Sequence, residues 1–306
     1  MGNTDSSLNM RESSAVQSHS QNNTYDGRYN LVPSFRNVEY ESVDDNFRSK
    51  YPTSEPIPNY LDLRTSFPNI RDVGAFPLNP IASVSYVLEY SLLKNELGPF
   101  PPSLLYINNH TNFYSSKNNL MSFESIFKSI KTMGFCIENE VRTTKKNLEN
   151  TIISDDLREK AAPYKFLKVY NIPNKLDIIK SVLLNKFPIL VGFTVYYKMS
   201  KINSKFWTPD PSIEFPLGGL SGVLVGYIDD QRVFIMAQTY GSNFGQNGYI
   251  MIPYDYILNP YYTFEMYILD LDKQRVDGYL SQEQPVISAN AVPVQQSGGF
   301  FSNLFN

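Results

Sequence analysis

Residues 79–92 read NPIASVSYVLEYSL, and this stretch is the strongest structural signal in the chain. Asparagine is a preferred helix cap, and proline is tolerated at the first helical position because its missing N–H would have no partner there. Apolar residues then recur three and four positions apart on nearly every face. The stretch predicts a buried central helix that has Asn79 as its cap and ends near Asn95 and Gly98.

Helices precede strands along the remainder of the body. Capping residues and apolar spacing predict two further helices, one from about Ser122 to Gly134 and one beginning at Asn174. Segments rich in β-branched and aromatic residues, separated by turn residues, predict five later strands. These strands are expected at 188–196, 221–228, 232–237, 249–252 and 263–269. Helices first and strands later indicate an α+β fold.

Composition divides the 306 residues into a body and two tails. Residues 1–56 are rich in Ser, Asn and Pro and predict a disordered polar arm followed by an extended lead-in. Residues 57–276 form the predicted domain, mainly helical over 57–160 and mainly β over 161–276. Residues 277–306 predict a flexible tail with an aromatic end.

Four motifs carry a resemblance to a known family. They are DLR at 62–64, RDVG at 71–74, LGGLSGVLVGY at 217–227 and QTYGSNFGQNGY at 238–249. Together with the helix described above, and in the same order, they resemble segments of papain-like (C1-like) cysteine peptidases. The resemblance spans roughly Ile57 to Asp270 and implies a two-lobed papain-like fold with a cleft between a helical lobe and an antiparallel β lobe.

The same resemblance implies that the catalytic positions are all substituted. The nucleophile position falls on Asn79, the general-base position on Leu220, the position that orients the base on Gln238, and the oxyanion position on Val73. A carboxamide cannot replace a thiolate, and leucine has no proton to exchange. The resemblance thus implies a catalytically dead pseudo-peptidase, not an enzyme, that serves as a structural or binding protein.

The alternative is an active cysteine-type peptidase with a non-standard catalytic constellation. Cys136 is the one thiol, but a free cysteine is most often a small buried hydrophobe. His110 stands in a polar segment that predicts a surface loop, and His19 stands in the arm. The pair at 229–230, two aspartates, predicts a turn between strands rather than an acid and base pair.

The resemblance also implies that the cleft persists. The residues expected to line it are Val73, Asn79, Gly219, Leu220 and Tyr240. Two uses of this cleft stay open: it holds a peptide or protein partner, or it is filled by the chain's own residues.

Charge and composition limit the classes of partner and cofactor that the chain can have. The chain has 27 Lys and Arg against 30 Asp and Glu, and this balance argues against nucleic acid as a partner. Two histidines and one cysteine are too few for a zinc site, so no metal or other cofactor is predicted. The single cysteine predicts a reducing, intracellular compartment. Neither a signal peptide nor a transmembrane segment is expected.

The two ends suggest attachment to a membrane and to a protein partner. Met1 to Ser6 fits the N-myristoylation pattern, which predicts acylation of Gly2 and peripheral membrane binding. The aromatic tail is expected to dock on a protein partner or a membrane interface through Phe300, Phe301, Leu304 and Phe305. Abundant Asn, Lys, Ile and Tyr, together with an emptied peptidase site, suggest a virion protein of a large DNA virus.

Overall fold

The computed structural model describes residues 29–34, 40–43, 51–52, 56–74, 76–112, 120–144, 146–147, 153–197 and 212–282. Its α-helices are α1 (Asn79–Lys94), α2 (Leu104–Thr111), α3 (Phe123–Met133), α4 (Asp155–Ala161), α5 (Leu176–Leu184), α6 (Tyr254–Leu258) and α7 (Lys273–Gln282). Its strands are β1 (Glu41–Ser42), β2 (Tyr60–Asp62), β3 (Leu167–Asn171), β4 (Ile189–Tyr196), β5 (Pro216–Ile228), β6 (Val233–Ala237), β7 (Tyr249–Pro253) and β8 (Thr263–Leu271).

The strands of the described residues form one twisted sheet in the order β1-β3-β8-β4-β5-β6-β7, with β2 added beside β5. All pairs are antiparallel except β1 with β3. In the centre, β4 and β5 pair with Leu190 opposite Val223. Both strands are buried over most of their length, which explains their nearly continuous apolar sequences. The predicted α+β class is confirmed.

The predicted central helix is α1, which packs against β5 and β8. Its residues from Asn79 to Leu88 are all buried, so the apolar character of all its faces matches its position. The predicted cap is wrong. Leu78 occupies the cap position without a side-chain hydrogen bond, and Asn79 is the first helical residue. The amide of Asn79 has partners in the β lobe that take it away from the helix backbone.

Helix α3 follows its sequence signals closely. Ser122 accepts a hydrogen bond from the backbone N–H of Ser125, and the Ser125 side chain accepts one in return, so the helix begins with a reciprocal cap. Gly134 ends the helix with a φ of +69°. A Cβ at Gly134 would lie 1.8 Å from the carbonyl oxygen of Ala161, so only glycine fits there.

Parts of the predicted arm pack against the body. Leu31 and Val43 are buried, with 2% and 5% of their surface exposed. The N–H of Val43 donates to the carbonyl oxygen of Asn171, which adds β1 to the edge of the sheet. The boundary drawn at residue 56 is therefore corrected: ordered structure reaches residues 29–34 and 40–43. At the other end, α7 continues across the predicted boundary at residue 277.

Among the described residues, every helix is too short or too polar to cross a lipid bilayer. Gly2, His19 and the aromatic residues from Phe300 to Phe305 lie outside the described residues.

Candidate functional site at the junction of the lobes

Segments from both lobes meet at the beginning of α1, and they comprise residues 71–74, 76–79, 219–221 and 238–241. The N–H of Val73 donates to the carbonyl oxygen of Thr239 at 3.0 Å. The N–H of Gly241 donates to the carbonyl oxygen of Arg71 at 3.1 Å. The segment before α1 is thereby joined to the segment after β6. Because these bonds join the two segments, the four positions predicted to be catalytic lie near one another.

The Asn79 side chain is the centre of a buried polar cluster. Its Oδ1 accepts hydrogen bonds from the N–H and from the hydroxyl of Ser221, both at 2.8 Å. Its Nδ2 donates to Oγ1 of Thr239 at 2.8 Å and to the carbonyl oxygen of Ser221 at 3.2 Å. The Ser221 hydroxyl also lies 2.8 Å from Oγ of Ser83 in α1. We call Asn79, Ser83, Ser221 and Thr239 the junction cluster.

The partners of Asn79 are the residues that follow two predicted site positions. Ser221 follows Leu220, and Thr239 follows Gln238. Side chains alternate along a strand, so Leu220 points away from the face on which Ser221 meets α1. Leu220 is 5% exposed and pairs with Phe193 on β4. The amide thus contacts hydroxyls and backbone rather than the leucine side chain.

Gln238 does not join this cluster through its side chain. It is 1% exposed, and its Nε2 has no hydrogen-bond partner among the described residues. The amide lies against Gly222, where a Cβ would approach Nε2 to 2.5 Å. Glycine at position 222 therefore makes room for the longer amide of Gln238, which directly follows β6.

The predicted oxyanion position, Val73, makes structural contacts. Val73 is 5% exposed, and its N–H is already bonded to Thr239 as described above. The next residue, Gly74, has a φ of +57°, and its N–H donates to Oδ1 of Asp72 at 2.7 Å. This turn therefore offers neither a side-chain amide nor a free N–H of Val73 to a bound oxyanion.

The cleft between the lobes is filled by residues 29–34, which we call the cleft segment. On one side the N–H of Leu31 donates to the carbonyl oxygen of Gly219 at 3.1 Å. On the other side Met121 and the segment exchange two backbone hydrogen bonds, at 3.0 and 2.8 Å. The amide of Asn30 donates to the carbonyl oxygen of Pro77 at 2.9 Å, two residues before Asn79. In the structure the chain's own residues lie in the cleft, which is the second of the two uses described above.

Two glycines allow this close approach. A Cβ at Gly219 would lie 2.1 Å from the carbonyl oxygen of Leu31, and one at Gly218 would lie 2.7 Å from that of Tyr29. The pair at 218–219 therefore serves to admit the backbone of the cleft segment.

A buried carboxyl holds the far end of the cleft segment. Oε2 of Glu265 on β8 accepts hydrogen bonds from the N–H of Ser34 and from the hydroxyl of Tyr267, both at 3.2 Å. Burial raises the pKa of Glu265 to about 7, and the negative charge of Glu124 acts in the same direction. The hydrogen bonds from Ser34 and Tyr267 oppose this rise but do not cancel it.

This fold matches solved papain-like proteases. Xylellain, a cysteine protease from Xylella fastidiosa, superposes with a TM-score of 0.71 at 20% identity, over 80% of this chain and 97% of that chain. Digestive procathepsin L 3 from the larval midgut of Tenebrio molitor gives a TM-score of 0.60 at 16% identity, over 81% of this chain and 77% of that chain. The chain has the papain-like fold. The resemblance predicted from the motifs is confirmed.

One curated relative matches in sequence. It is an uncharacterized peptidase C1-like protein of Acanthamoeba polyphaga mimivirus, 32% identical over 113 residues. The match spans only 36% of this chain and 36% of that protein's length. No protein-family model matches the sequence.

Within the papain-like fold, Cys136 lies in the helical lobe in a buried position. It is 1% exposed, and its Sγ donates to the carbonyl oxygen of Leu157 at 3.1 Å. Burial raises the pKa of Cys136 to about 12, and the charge of Glu140 adds to the rise. A thiol in such surroundings is almost entirely protonated at neutral pH, so it is a poor nucleophile.

The predicted surface loop at His110 is wrong. His110 lies inside α2, is 6% exposed, and packs with its ring 4.5 Å from that of Tyr106. Its Nδ1 lies 3.0 Å from the carbonyl oxygen of Tyr106, while the Cys136 thiol is bonded elsewhere. Burial lowers the pKa of His110, although the hydrogen bond to Tyr106 opposes this. The polar residues around His110 belong to a helix whose other face is buried.

The predicted turn at 229–230 is confirmed as a short 3₁₀ turn between β5 and β6. The carboxylate of Asp229 receives hydrogen bonds from Nζ of Lys180 and from the hydroxyl of Tyr254, both at 2.6 Å. Burial alone would raise the pKa of Asp229, but these two donors and the lysine charge lower it. Asp229 therefore anchors α5 and α6 to the turn.

Sequence reasoning missed Ser83, Ser221 and Thr239 as members of the site. A signal was present, because Ser83 and Ser221 each interrupt an otherwise apolar run that is predicted to be buried. Buried hydroxyls need hydrogen-bond partners, so two such residues in separate elements indicate that the elements meet. In the part of the chain that the structure describes, no group of three His, Cys, Asp or Glu side chains is arranged to hold a metal ion.

Proposed function

We propose that this chain is a non-catalytic papain-like pseudo-peptidase that acts as a structural or binding protein. The observation that carries the proposal is the junction cluster. The amide of Asn79 uses both its oxygen and its nitrogen in hydrogen bonds to Ser221 and Thr239. The cluster contains no thiol, imidazole or carboxylate, so its hydroxyls have no general base that could activate them as nucleophiles.

The chemistry of peptide-bond cleavage supports this proposal. A covalent mechanism needs a nucleophile and a base that act together, and removing both eliminates most of an acceleration of ~10⁶-fold or more. Hydrogen-bonded amides and hydroxyls instead stabilise a closed junction. The amide at the predicted nucleophile position, Asn79, thereby provides contacts between the lobes instead of reactivity.

The occupied cleft supports a structural role. The cleft segment bonds to Met121 on the helical side and to Gly219 on the β side, so it ties the two lobes together. A partner that uses the cleft has to displace this segment first. The proposed alternative to displacement is docking through the aromatic tail, at Phe300, Phe301, Leu304 and Phe305.

Membrane attachment through an acyl group on Gly2, and a place in a virion, are part of the same proposal. They rest on the sequence of the two ends and on composition. One myristoyl chain binds membranes only marginally, so a second contact from the tail or from assembly is needed.

The test combines reactivity with mass. The full chain is incubated with a fluorogenic peptide library and with a thiol-directed peptidyl electrophile, next to an active papain-like protease and to the Cys136→Ala variant. We expect no hydrolysis and no added mass on the native chain. Peptide hydrolysis that is lost in Cys136→Ala, with the electrophile bound at Cys136, would establish the alternative of a cysteine-type peptidase with a non-standard constellation.

A further inference from the structure

A basic groove lies on the side of the molecule where α3, β3 and α7 come together, away from the junction cluster. Its volume is about 350 Å³. It is lined by Lys131, Lys165, Phe166, Leu167, Lys168, Asp272 and Arg275. We call these residues the basic groove. Four basic side chains against one carboxylate leave a surplus of three positive charges.

The surplus contrasts with the rest of the chain. The whole protein carries a formal charge of −3, so the groove concentrates positive charge on an overall acidic molecule. The carboxylate of Asp272 is already engaged, because Nζ of Lys168 lies 2.9 Å from its Oδ2. Asp272 also faces the charge of Arg275, and Glu41 faces that of Lys131, so these two carboxylates offset part of the positive charge of the groove.

An aromatic ring holds two of these cations in place. The guanidinium carbon of Arg275 lies 4.4 Å from the ring centre of Phe166, and Nζ of Lys165 lies 5.8 Å from the same centre. Nζ of Lys165 is also 5.5 Å from the ring of Tyr279. Stacking on aromatic faces orients a cation without neutralising it. Both cations therefore lie within 6 Å of one ring that lines the groove.

We propose that the basic groove binds a small phosphate-bearing group. Arginine offers paired N–H donors that match phosphate oxygens, and lysines add point charges that favour a dianion. A concave site of this size accommodates a phosphate or diphosphate moiety with a short substituent. The same chemistry is presented by a soluble phosphate compound and by the headgroup of an anionic lipid, so the experiment separates these two sources.

The experiment uses the full chain at low salt. Binding of inorganic pyrophosphate is measured by calorimetry, and cosedimentation is measured with vesicles of phosphatidylcholine containing phosphatidic acid or of phosphatidylcholine alone. The test variant is Lys165→Gln with Arg275→Gln. The control is Lys160→Gln with Arg232→Gln, which removes the same charge from exposed ion pairs with Asp156 and Asp255.

We expect the native chain and the control to bind pyrophosphate equally, and the groove variant to bind at least tenfold more weakly. Added salt should weaken this binding. A lipid source is indicated if the groove variant also loses its cosedimentation with phosphatidic acid, and a soluble source if no form of the protein cosediments. The proposal is overturned if the native chain binds neither probe, or if the groove variant binds both as well as the control does.

Discussion

Asn79 and Ser221 are hydrogen-bonded in both directions although they lie 142 residues apart in the sequence. The side-chain oxygen of Asn79 accepts from the backbone N–H of Ser221 at 2.8 Å, and its nitrogen donates to the backbone oxygen of Ser221 at 3.2 Å. The side chain at the beginning of α1 thus bonds both backbone groups of a residue in β5, as a neighbouring strand would. This arrangement closes the junction with neutral groups.

The first prediction concerns the stability that this amide contributes. Asn79→Ala leaves the Ser221 N–H and the Thr239 hydroxyl buried without their partner, and unsatisfied buried polar groups cost about 1–3 kcal/mol each. We expect the free energy of unfolding, measured by urea denaturation, to fall by about 2–4 kcal/mol.

Asn147→Ala is the matched control for that substitution. The amide of Asn147 makes one exposed hydrogen bond, to the carbonyl oxygen of Arg142 at 2.8 Å. Its loss should change the free energy of unfolding by less than about 1 kcal/mol, because water replaces the lost partner. Equal effects of the two substitutions would contradict the assigned role of Asn79.

The second prediction concerns the cleft segment. In Gly219→Ala the new methyl group would meet the carbonyl oxygen of Leu31 at 2.1 Å, and the three atoms nearest to it all belong to Leu31. The clash therefore falls on the segment and spares the body. We expect the segment to leave the cleft, with a loss of about 2 kcal/mol from re-exposure of Leu31.

Hydrogen exchange measures this displacement. The amides of Leu31 and Val32, which donate to Gly219 and Met121, should lose their protection in Gly219→Ala. The control is Gly278→Ala, where a Cβ meets nothing within 4 Å on an exposed position of α7. That control should keep the protection and gain about 0.5–1 kcal/mol of stability. Retained protection in Gly219→Ala would show that the segment does not depend on this contact.

The sequence predicted the elements whose signals are local. Apolar spacing identified α1, and the serine cap with the glycine stop identified α3. The prediction from sequence failed where contacts with residues distant in the chain outweighed a local preference. Asn79 has the sequence of a cap, but Ser221 and Thr239 provide better partners for its amide. His110 is surrounded by polar residues, yet α2 buries it against the helical lobe.

The cleft segment had no signal in the sequence for a related reason. It is held mostly by backbone hydrogen bonds to Gly219 and Met121, and backbone groups are the same in every residue. Leu31 is its one buried apolar side chain beside the buried amide of Asn30, and one leucine in a polar stretch does not distinguish a bound segment from a free one. The sequence shows the two glycines opposite the segment, but only the structure shows that the backbone of the segment packs against them.

The third prediction concerns pH. Burial raises the pKa of Glu265 to about 7 from an ordinary value of 4.5, so the folded state binds this proton more tightly than the unfolded state. The contribution of Glu265 to the free energy of unfolding should therefore fall as the pH rises from about 4.5 to about 7, by on the order of 3 kcal/mol. Above that range its contribution should be constant.

Comparison with Glu265→Gln isolates this effect. Burial also raises the pKa of Glu89 and lowers that of His110. With rising pH, Glu89 therefore lowers the free energy of unfolding, as Glu265 does, whereas His110 raises it. Both are present in the two proteins and cancel in the difference between their urea unfolding curves. The free energy of unfolding of the chain with Glu265 should rise relative to that of Glu265→Gln as the pH is lowered from about 7 to about 5. A difference that is independent of pH would contradict the raised pKa of Glu265.

The fourth prediction concerns the thiol. Because Cys136 is 1% exposed and its pKa is raised to about 12, a disulfide reagent should modify the native chain only as fast as the helical lobe opens. The rate should rise steeply with urea and match the rate for a free thiol once the chain is unfolded. Rapid modification of the folded chain at neutral pH would indicate an activated cysteine.

The most direct measurement of the central claim is a peptidase assay on Gly219→Ala, because this variant separates an inert site from a merely covered one. Peptide hydrolysis and labelling by a thiol-directed peptidyl electrophile are followed after hydrogen exchange has established that the cleft segment has left. Our account predicts no turnover and no label with the cleft open. Hydrolysis that appears only in the opened variant would mean that the chain is a latent peptidase held inactive by its own residues.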